Sequence, residues 1–296
     1  MKIFVTGASS DIGRRSVEYL LSEGCQVICL SRKKTFAIGD AVVVQGDLMN
    51  TGGLKRYLEN IDMIIHGAGI THTDHPDRYF KINYRATEGL ISLAEYKGIK
   101  RFVYISTRAV GLEGGAYALS KFLAEESLRR SNLDWVILRV AEVYGTSKEE
   151  GIDSLIKLVL RSKVIPIAGR GEYELAPVYV DDVAGVIAKL TRCEQIRRKI
   201  YTICGPRTYS INDFISLLCK VYSLDRIRVH VPLFLLEWAV QLKRYLPLPV
   251  NLSKDQIKRL LIPKDSDFSA AKRDLGFSPI RIESWLQKRQ LVNSEK

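Results

Sequence analysis

At 296 residues, with 46% hydrophobic and 26% charged side chains, the chain has the make-up of a soluble globular protein: one large α/β domain, or one domain with a smaller lobe. A net charge of +12 and a pI near 9.4 would suit an anionic partner, but the basic residues are dispersed with no aromatic-interleaved stripe, so nucleic acid is not expected. No apolar run approaches the roughly 20 residues of a bilayer span, and Cys25, Cys29, Cys193, Cys204 and Cys219 show no C-x-x-C spacing, which reads as reduced thiols in a cytoplasmic protein without a metal site.

The chain begins on a strand, Lys2-Ile-Phe-Val-Thr6, with no secretory signal ahead of it. Thr6-Gly-Ala-Ser-Ser-Asp-Ile-Gly13 follows, and a helix is predicted over 11–23. A glycine-rich turn between strand and helix is where backbone N–H groups and a helix N-terminus hold a pyrophosphate. Gly7 allows the tight turn and Gly13 allows close helix–sheet packing. Ser10 and Asp11 stand where a middle glycine is usual. Ser10 is small enough for a phosphate to approach, and Asp11 can serve the helix N-terminus. The second strand, 26–30, leads into Ser31-Arg32-Lys33-Lys34. A carboxylate there would bond a ribose 2′-hydroxyl, whereas an arginine suits a 2′-phosphate. With Arg32 and no carboxylate, NADP is expected over NAD.

Further short Val/Ile/Phe-rich strands are predicted at 42–46, 61–66, 101–106 and 134–139, with helices at 53–59, 79–97 and 115–131 between them. Such runs fit strands buried on both faces, and their alternation with helices implies a doubly wound parallel sheet. The fifth strand ends in two hydroxyls, Ser106 and Thr107. Tyr117 and Lys121 follow, one helical turn apart and facing the same way. A lysine ammonium beside a phenol favours the phenolate, making tyrosine usable as an acid/base near neutral pH. After Gly145, helices are predicted at 151–162, 181–192, 210–223, 233–245, 253–261 and 281–291, with strands near 164–168, 199–204 and 227–231. The chain thus divides into a dinucleotide-binding Rossmann domain, 1–145, and a mainly helical substrate lobe, 146–296, interleaved with it. The apolar stretch Val231–Leu246 with its basic end reads as a helix capping the lobe; a membrane surface or a lipophilic substrate is the alternative.

Together these residues resemble the short-chain dehydrogenase/reductase superfamily, in its extended or atypical NAD-dependent epimerase/dehydratase branch. The resemblance runs along nearly the whole chain. It rests on Thr6–Gly13, Gly46-Asp47-Leu48, His66-Gly-Ala-Gly69, Asn83 with Thr87, Val103–Thr107, Tyr117/Lys121, Leu138-Arg139 with Val143-Tyr144-Gly145, Val178–Val183 and Asp274–Pro279. It implies a cofactor bound by Gly7, Ser10, Asp11, Ile12, Gly13, Arg32, Asp47, Leu48, Gly67, Ala68, Gly69, Asn83 and Val140. Lys121 would hold the nicotinamide ribose and depress the Tyr117 pKa. Tyr117 would exchange a proton with a substrate hydroxyl or carbonyl, and Thr107, with Ser106 as the alternative, would bond the same oxygen. A hydride would pass between substrate and nicotinamide. Contact between a small-molecule substrate and His72 or Glu142 is a minor expectation. The resemblance also implies a homodimer through the helices near 79–97 and 115–131.

The departures bear on function. The segment from Thr107 to Tyr117 is short, and Arg108-Ala109 replaces the Asp-Glu of dehydratases, so dehydratase chemistry is not expected. Val140 and Glu142 stand where a proline and an asparagine are usual, and a carboxylate would repel a nucleotide-sugar diphosphate. A second reading therefore stays open: a cofactor-binding structural, assembly or redox-sensing protein, similar to the accessory-subunit branch of respiratory complex I, which shares a Leu-Asp-Trp-x-Ile-Leu-Arg strand like Leu133–Arg139.

Overall fold

The structure is a computed structural model that describes residues 1–147, 150–242 and 253–294. Its centre is a seven-stranded parallel sheet. The strands are β1 (Lys2–Thr6), β2 (Gln26–Ser31), β3 (Val42–Gln45), β4 (Met63–His66), β5 (Arg101–Thr107), β6 (Asp134–Val140) and a late strand, Lys199–Ile203. Their order places the late strand beside β6, then β5, β4, β1, β2 and β3. Successive side chains of β1 point to opposite faces. Ile3 and Val5 enter a core shared with Val17 and Leu20 of α1 (Asp11–Ser22), while Phe4 enters a second core with Leu90 and Leu128. Both faces are covered, which is why these strands read as unbroken apolar runs.

Two predicted helices are broken. The span 53–59 is a four-residue α2 (Thr51–Leu54), capped by the Asn50 side chain, running into a 3₁₀ turn, Lys55–Leu58. Gly52 and Gly53 are poor helix formers and account for its shortness. The span 79–97 starts earlier, as α3 (Pro76–Tyr79), passes through a π-helical turn, Phe80–Arg85, and becomes α4 (Ala86–Tyr96). α5 (Gly115–Arg130) follows β5.

Beyond β6 come β7 (Val143–Tyr144), α6 (Ile152–Arg161), β8 (Val164–Ala168), β9 (Glu174–Leu175) and β10 (Val178–Tyr179). The chain then returns to the sheet. α7 (Val180–Lys189) shares a core with α1, and β11 is the late edge strand, Lys199–Ile203. Residues assigned from sequence to the lobe thus complete the sheet. β12 (Tyr209–Ser210), α8 (Ile211–Tyr222), β13 (Ile227–Val231), α9 (Leu233–Leu242), α10 (Lys254–Leu261), α11 (Ser269–Leu275) and α12 (Ile282–Ser294) follow. The end of the helix predicted over 233–245 lies outside the described residues. α6, α8 and α12 build a separate core around Tyr144, Ile156, Phe214 and Leu286.

Candidate functional site

The C-terminal ends of β1, β4, β5 and β6 open on one cavity of about 610 Å³. The β1–α1 turn forms one wall. Gly7 has φ +78°, and a Cβ on it would stand 2.5 Å from the Gly67 carbonyl carbon. A Cβ on Gly13 would overlap the Gly7 carbonyl oxygen. Both positions therefore need glycine for close packing of turn, helix and β4 loop. Ser10 caps α1: its Oγ accepts the Gly13 N–H at 3.0 Å and donates to Gly7 O at 2.8 Å. Asp11 opens the helix and accepts from Ser147 N at 3.1 Å and Ser147 Oγ at 2.5 Å. The first-turn N–H groups of a helix have no acceptor within it and carry the positive end of its dipole. Ser10, Asp11 and Ile12 put that end in the cavity wall.

Gly67, Gly69, Asn83, Ser106, Thr107, Tyr117, Lys121 and Val140 line the same cavity, with His72 and Glu142. The other proposed cofactor residues lie off this wall. Gly7 and Gly13 sit in the turn itself. Ala68 N–H donates to Thr6 Oγ1 at 3.3 Å, Leu48 is packed in the core, Asp47 accepts from Met49 N at 3.0 Å, and Arg32 stands exposed after β2.

Asn83, on the π-helical turn, pins the loop after β4: its Oδ1 accepts Ile70 N–H at 2.8 Å and its Nδ2 donates to Ile70 O at 3.0 Å. His66 is buried between Thr6 Oγ1, 2.6 Å from Nδ1, and Thr87 Oγ1, 2.8 Å from Nε2. Thr87 spends its own proton on Asn83 O, so Nε2 carries the imidazole hydrogen and Nδ1 accepts. Burial, with Lys121 adding to it, pulls the His66 pKa down to about 3.

Tyr117 is buried at the start of α5, with its hydroxyl hydrogen-bonded to Thr107. Burial pushes its pKa above the usual tyrosine range, and Arg259 is the cation that opposes this. The expected Lys121 influence on Tyr117 is thus replaced. Lys121 Nζ donates instead to Ile105 O at 2.9 Å and lies 4.1 Å from the Tyr104 ring centroid. Its own pKa falls to about 7, because burial penalises the ammonium more than Glu125 favours it. The Arg259 guanidinium lies 4.3 Å from the Tyr117 ring centroid, donates to Thr71 O at 3.1 Å and pairs with Asp255 at 3.5 Å. Asp255 Oδ1 in turn accepts the Tyr117 N–H at 3.1 Å, capping an α5 that has only Gly114 at its N-cap. Ser106 is committed elsewhere: its Oγ donates to Glu125 Oε1 at 2.6 Å, and Glu125 pairs with Arg139 at 2.7 Å. Thr107 is therefore the hydroxyl presented to Tyr117.

Glu142 is not a bare carboxylate. Arg108 pairs with it at 2.7 Å and Lys264 at 3.6 Å, and both cations are almost fully buried. Burial raises its pKa, but the two cations outweigh that and hold it below the usual range. The expected repulsion of a diphosphate is thereby neutralised. His72 stands at the exposed rim, its pKa lowered by partial burial and by Arg259. Sequence reasoning missed Asp255, Arg259 and Lys264. The Ser253-x-x-Gln256 capping box marks the start of α10, but nothing local in the sequence ties α10 to α5. Among the described residues no group of three or more His, Cys, Asp or Glu side chains could hold a metal ion.

The parallel sheet, the capped phosphate-type turn and the cavity at the strand ends define a Rossmann dinucleotide-fold protein. Residues 3–204 match the NAD dependent epimerase/dehydratase family, and the chain belongs to that family. It is similar to the 2-alkyl-3-oxoalkanoate reductase of Shewanella oneidensis, 24% identical with 96% of this chain and 84% of the reductase covered. It is also similar to the mitochondrial NADH-ubiquinone oxidoreductase 40 kDa subunit of Neurospora crassa, 24% identical with 95% and 76% covered. Among solved structures, the UDP-glucose 4-epimerase of Thermotoga maritima with UDP-glucose superposes with a TM-score of 0.76 at 22% identity, covering 97% of this chain and 96% of that one. No helix among the described residues is long and apolar enough to cross a membrane.

Proposed function

We propose that the protein is an NAD(P)-dependent oxidoreductase or epimerase acting on a secondary alcohol or ketone. The observation that carries this is the meeting of Thr107, Tyr117 and Lys121 on the wall that also bears the N-terminus of α1. The site fits a dinucleotide, since Gly7 and Gly13 leave no room for a Cβ and the first turn of α1 offers N–H groups to a pyrophosphate. When bound, the nicotinamide supplies the hydride. Gly7, Ser10, Ile12 and Gly13 would hold the diphosphate, and Lys121 the nicotinamide ribose. Arg32, exposed after β2 with no carboxylate beside it, favours NADP over NAD. Thr107 and Tyr117 would converge on the substrate oxygen, with Tyr117 giving or taking its proton. Burial keeps that proton on Tyr117, and Arg259 eases its departure. The reductase activity named for the Shewanella relative agrees with a ketone substrate.

Replacing Tyr117 by Phe should lower turnover by about 10²–10⁴-fold while cofactor binding persists. Unchanged turnover in that variant would refute the reading. A second reading, a cofactor-binding subunit without turnover, is favoured by the Arg108–Glu142–Lys264 ion cluster across the cavity and by the complex-subunit relative. Tight NADPH binding with no turnover on any ketone or alcohol would select it.

A further inference from the structure

A second cavity, of about 540 Å³, adjoins the first, and Leu260 and Lys264 line both. One side of its wall is aliphatic, Leu233 from α9 with Leu260, Leu261, Ile262 and Pro263 at the end of α10, and Lys264 stands next to it. The opposite side is the turn 168–174, where Gly169 and Gly171 have positive φ and bring backbone close to Leu233 and Ile167. Arg170, Glu172 and Glu174 on that turn also line the cavity and are exposed to solvent. α9 flanks the opening and leaves Phe234, Leu235 and Trp238 in solvent, at 63%, 47% and 68% exposure, with Leu261 of α10 at 56%. Exposed Lys254 and Lys258 border them on α10.

We propose that this second cavity seats an aliphatic chain, carried by a substrate whose alcohol or ketone oxygen lies at Tyr117. The inference rests on the function proposed above and names its substrate class, a single-chain amphiphile. Adjacency favours this occupant, because Leu260 and Lys264 line both cavities and a molecule held at Tyr117 has the second one beside it. The α10 side of the wall offers a run of aliphatic side chains, the surface a chain of methylenes packs on. The exposed apolar face of α9, with lysines beside it, is the kind of surface that meets a lipid or micelle and would pass such a chain inward.

The test is a binding series on full-length, NADPH-loaded protein with 2-hexanone, 2-octanone and 2-decanone, measured by calorimetry. Each buried methylene should tighten binding about fourfold, so two methylenes give on the order of tenfold and four on the order of a hundredfold. Leu261→Glu places a charge in the wall at a half-exposed position the fold tolerates. It should flatten the chain-length dependence while NADPH affinity stays unchanged, and Leu261→Gln should flatten it less. Chain-independent binding by the wild type would overturn the proposal, as would a dependence unaltered by Leu261→Glu. UDP binding that Leu261→Glu weakens would overturn it in favour of a nucleotide. The series needs no turnover. Chain-dependent binding without turnover would reject only the proposed reaction; turnover of short ketones without chain dependence would reject only the chain site.

Discussion

Asp255 is the residue whose removal should loosen the α5 N-terminus and retune Tyr117 together. Gly114 gives α5 no side-chain cap of its own, and Asp255 supplies one from α10, 3.1 Å from the Tyr117 N–H. Losing a cap costs about 1 kcal/mol. The same carboxylate pairs with Arg259, which is 14% exposed, at 3.5 Å. Stripping the partner from a fully buried ion costs about 3–5 kcal/mol. Arg259 keeps Thr71 O and the Tyr117 ring, so about 1–2 kcal/mol is the appropriate share. Asp255→Ala should therefore lose about 2–3 kcal/mol, and Asp255→Asn, which keeps the acceptor but not the charge, about 1–2 kcal/mol. Urea denaturation at constant m resolves the two. Asp255 also raises the Tyr117 pKa, against Arg259, so in Asp255→Asn the phenolate should form at lower pH than in the wild type. Absorbance at the tyrosinate band, with Tyr117→Phe subtracted, reads this directly. Equal stability of the Ala and Asn variants, or a phenolate that forms at higher pH, would refute the clamp.

Three further outcomes follow from the same geometry. His66 is neutral in the fold and titrates at about 3, against an ordinary 6.5, so the unfolded chain takes up its proton first as pH falls. Its contribution is complete above pH 6.5 and is lost by up to about 1.4 kcal/mol per pH unit on the way down to 3; His66→Gln should flatten that limb of the urea midpoint against pH. In Gly13→Ala the new Cβ overlaps Gly7 O, so NADPH affinity should fall by at least about tenfold and stability by about 1–3 kcal/mol, read by cofactor fluorescence and denaturation. Arg32→Glu alters an exposed side chain, so stability should hold while the NADPH-to-NADH affinity ratio drops by about tenfold or more; an unchanged ratio would remove Arg32 from the site.

The sheet was legible because its strands are buried on both faces and leave apolar runs, and because Gly7 and Gly13 mark a turn only glycine can make. Tyr117, Lys121 and Thr107 were legible because their spacing is local. What the sequence hid is long-range. β7, β9, β10 and β12 are two-residue strands, too short to leave a period. β11 joins the sheet from beyond residue 146, and strand patterns do not say which sheet they enter. Ser106 and Thr107 look alike in sequence, and only Glu125, 19 residues from Ser106, separates the hydroxyl it holds from the one that meets Tyr117. Glu142 looked repulsive because Lys264 lies more than a hundred residues downstream.

The two cations near Tyr117 act on different sides of it. Lys121 spends its Nζ on the Ile105 carbonyl, deep in the strand ends, and its pKa of about 7 leaves it only partly charged near neutral pH. A bound anionic cofactor would raise that pKa again by simple attraction, so charge on Lys121 should be coupled to cofactor binding. The Arg259 guanidinium faces the ring of Tyr117. Its position is set by Asp255 and Thr71, one on α10 and one on the loop that Asn83 pins. In the proposed reaction, proton release from Tyr117 would therefore depend on α10 staying docked on α5. α10 also ends in the wall of the second cavity, so a chain seated there would press on the helix that holds Arg259 in place. That linkage gives a physical route by which chain binding would reach the proton at Tyr117.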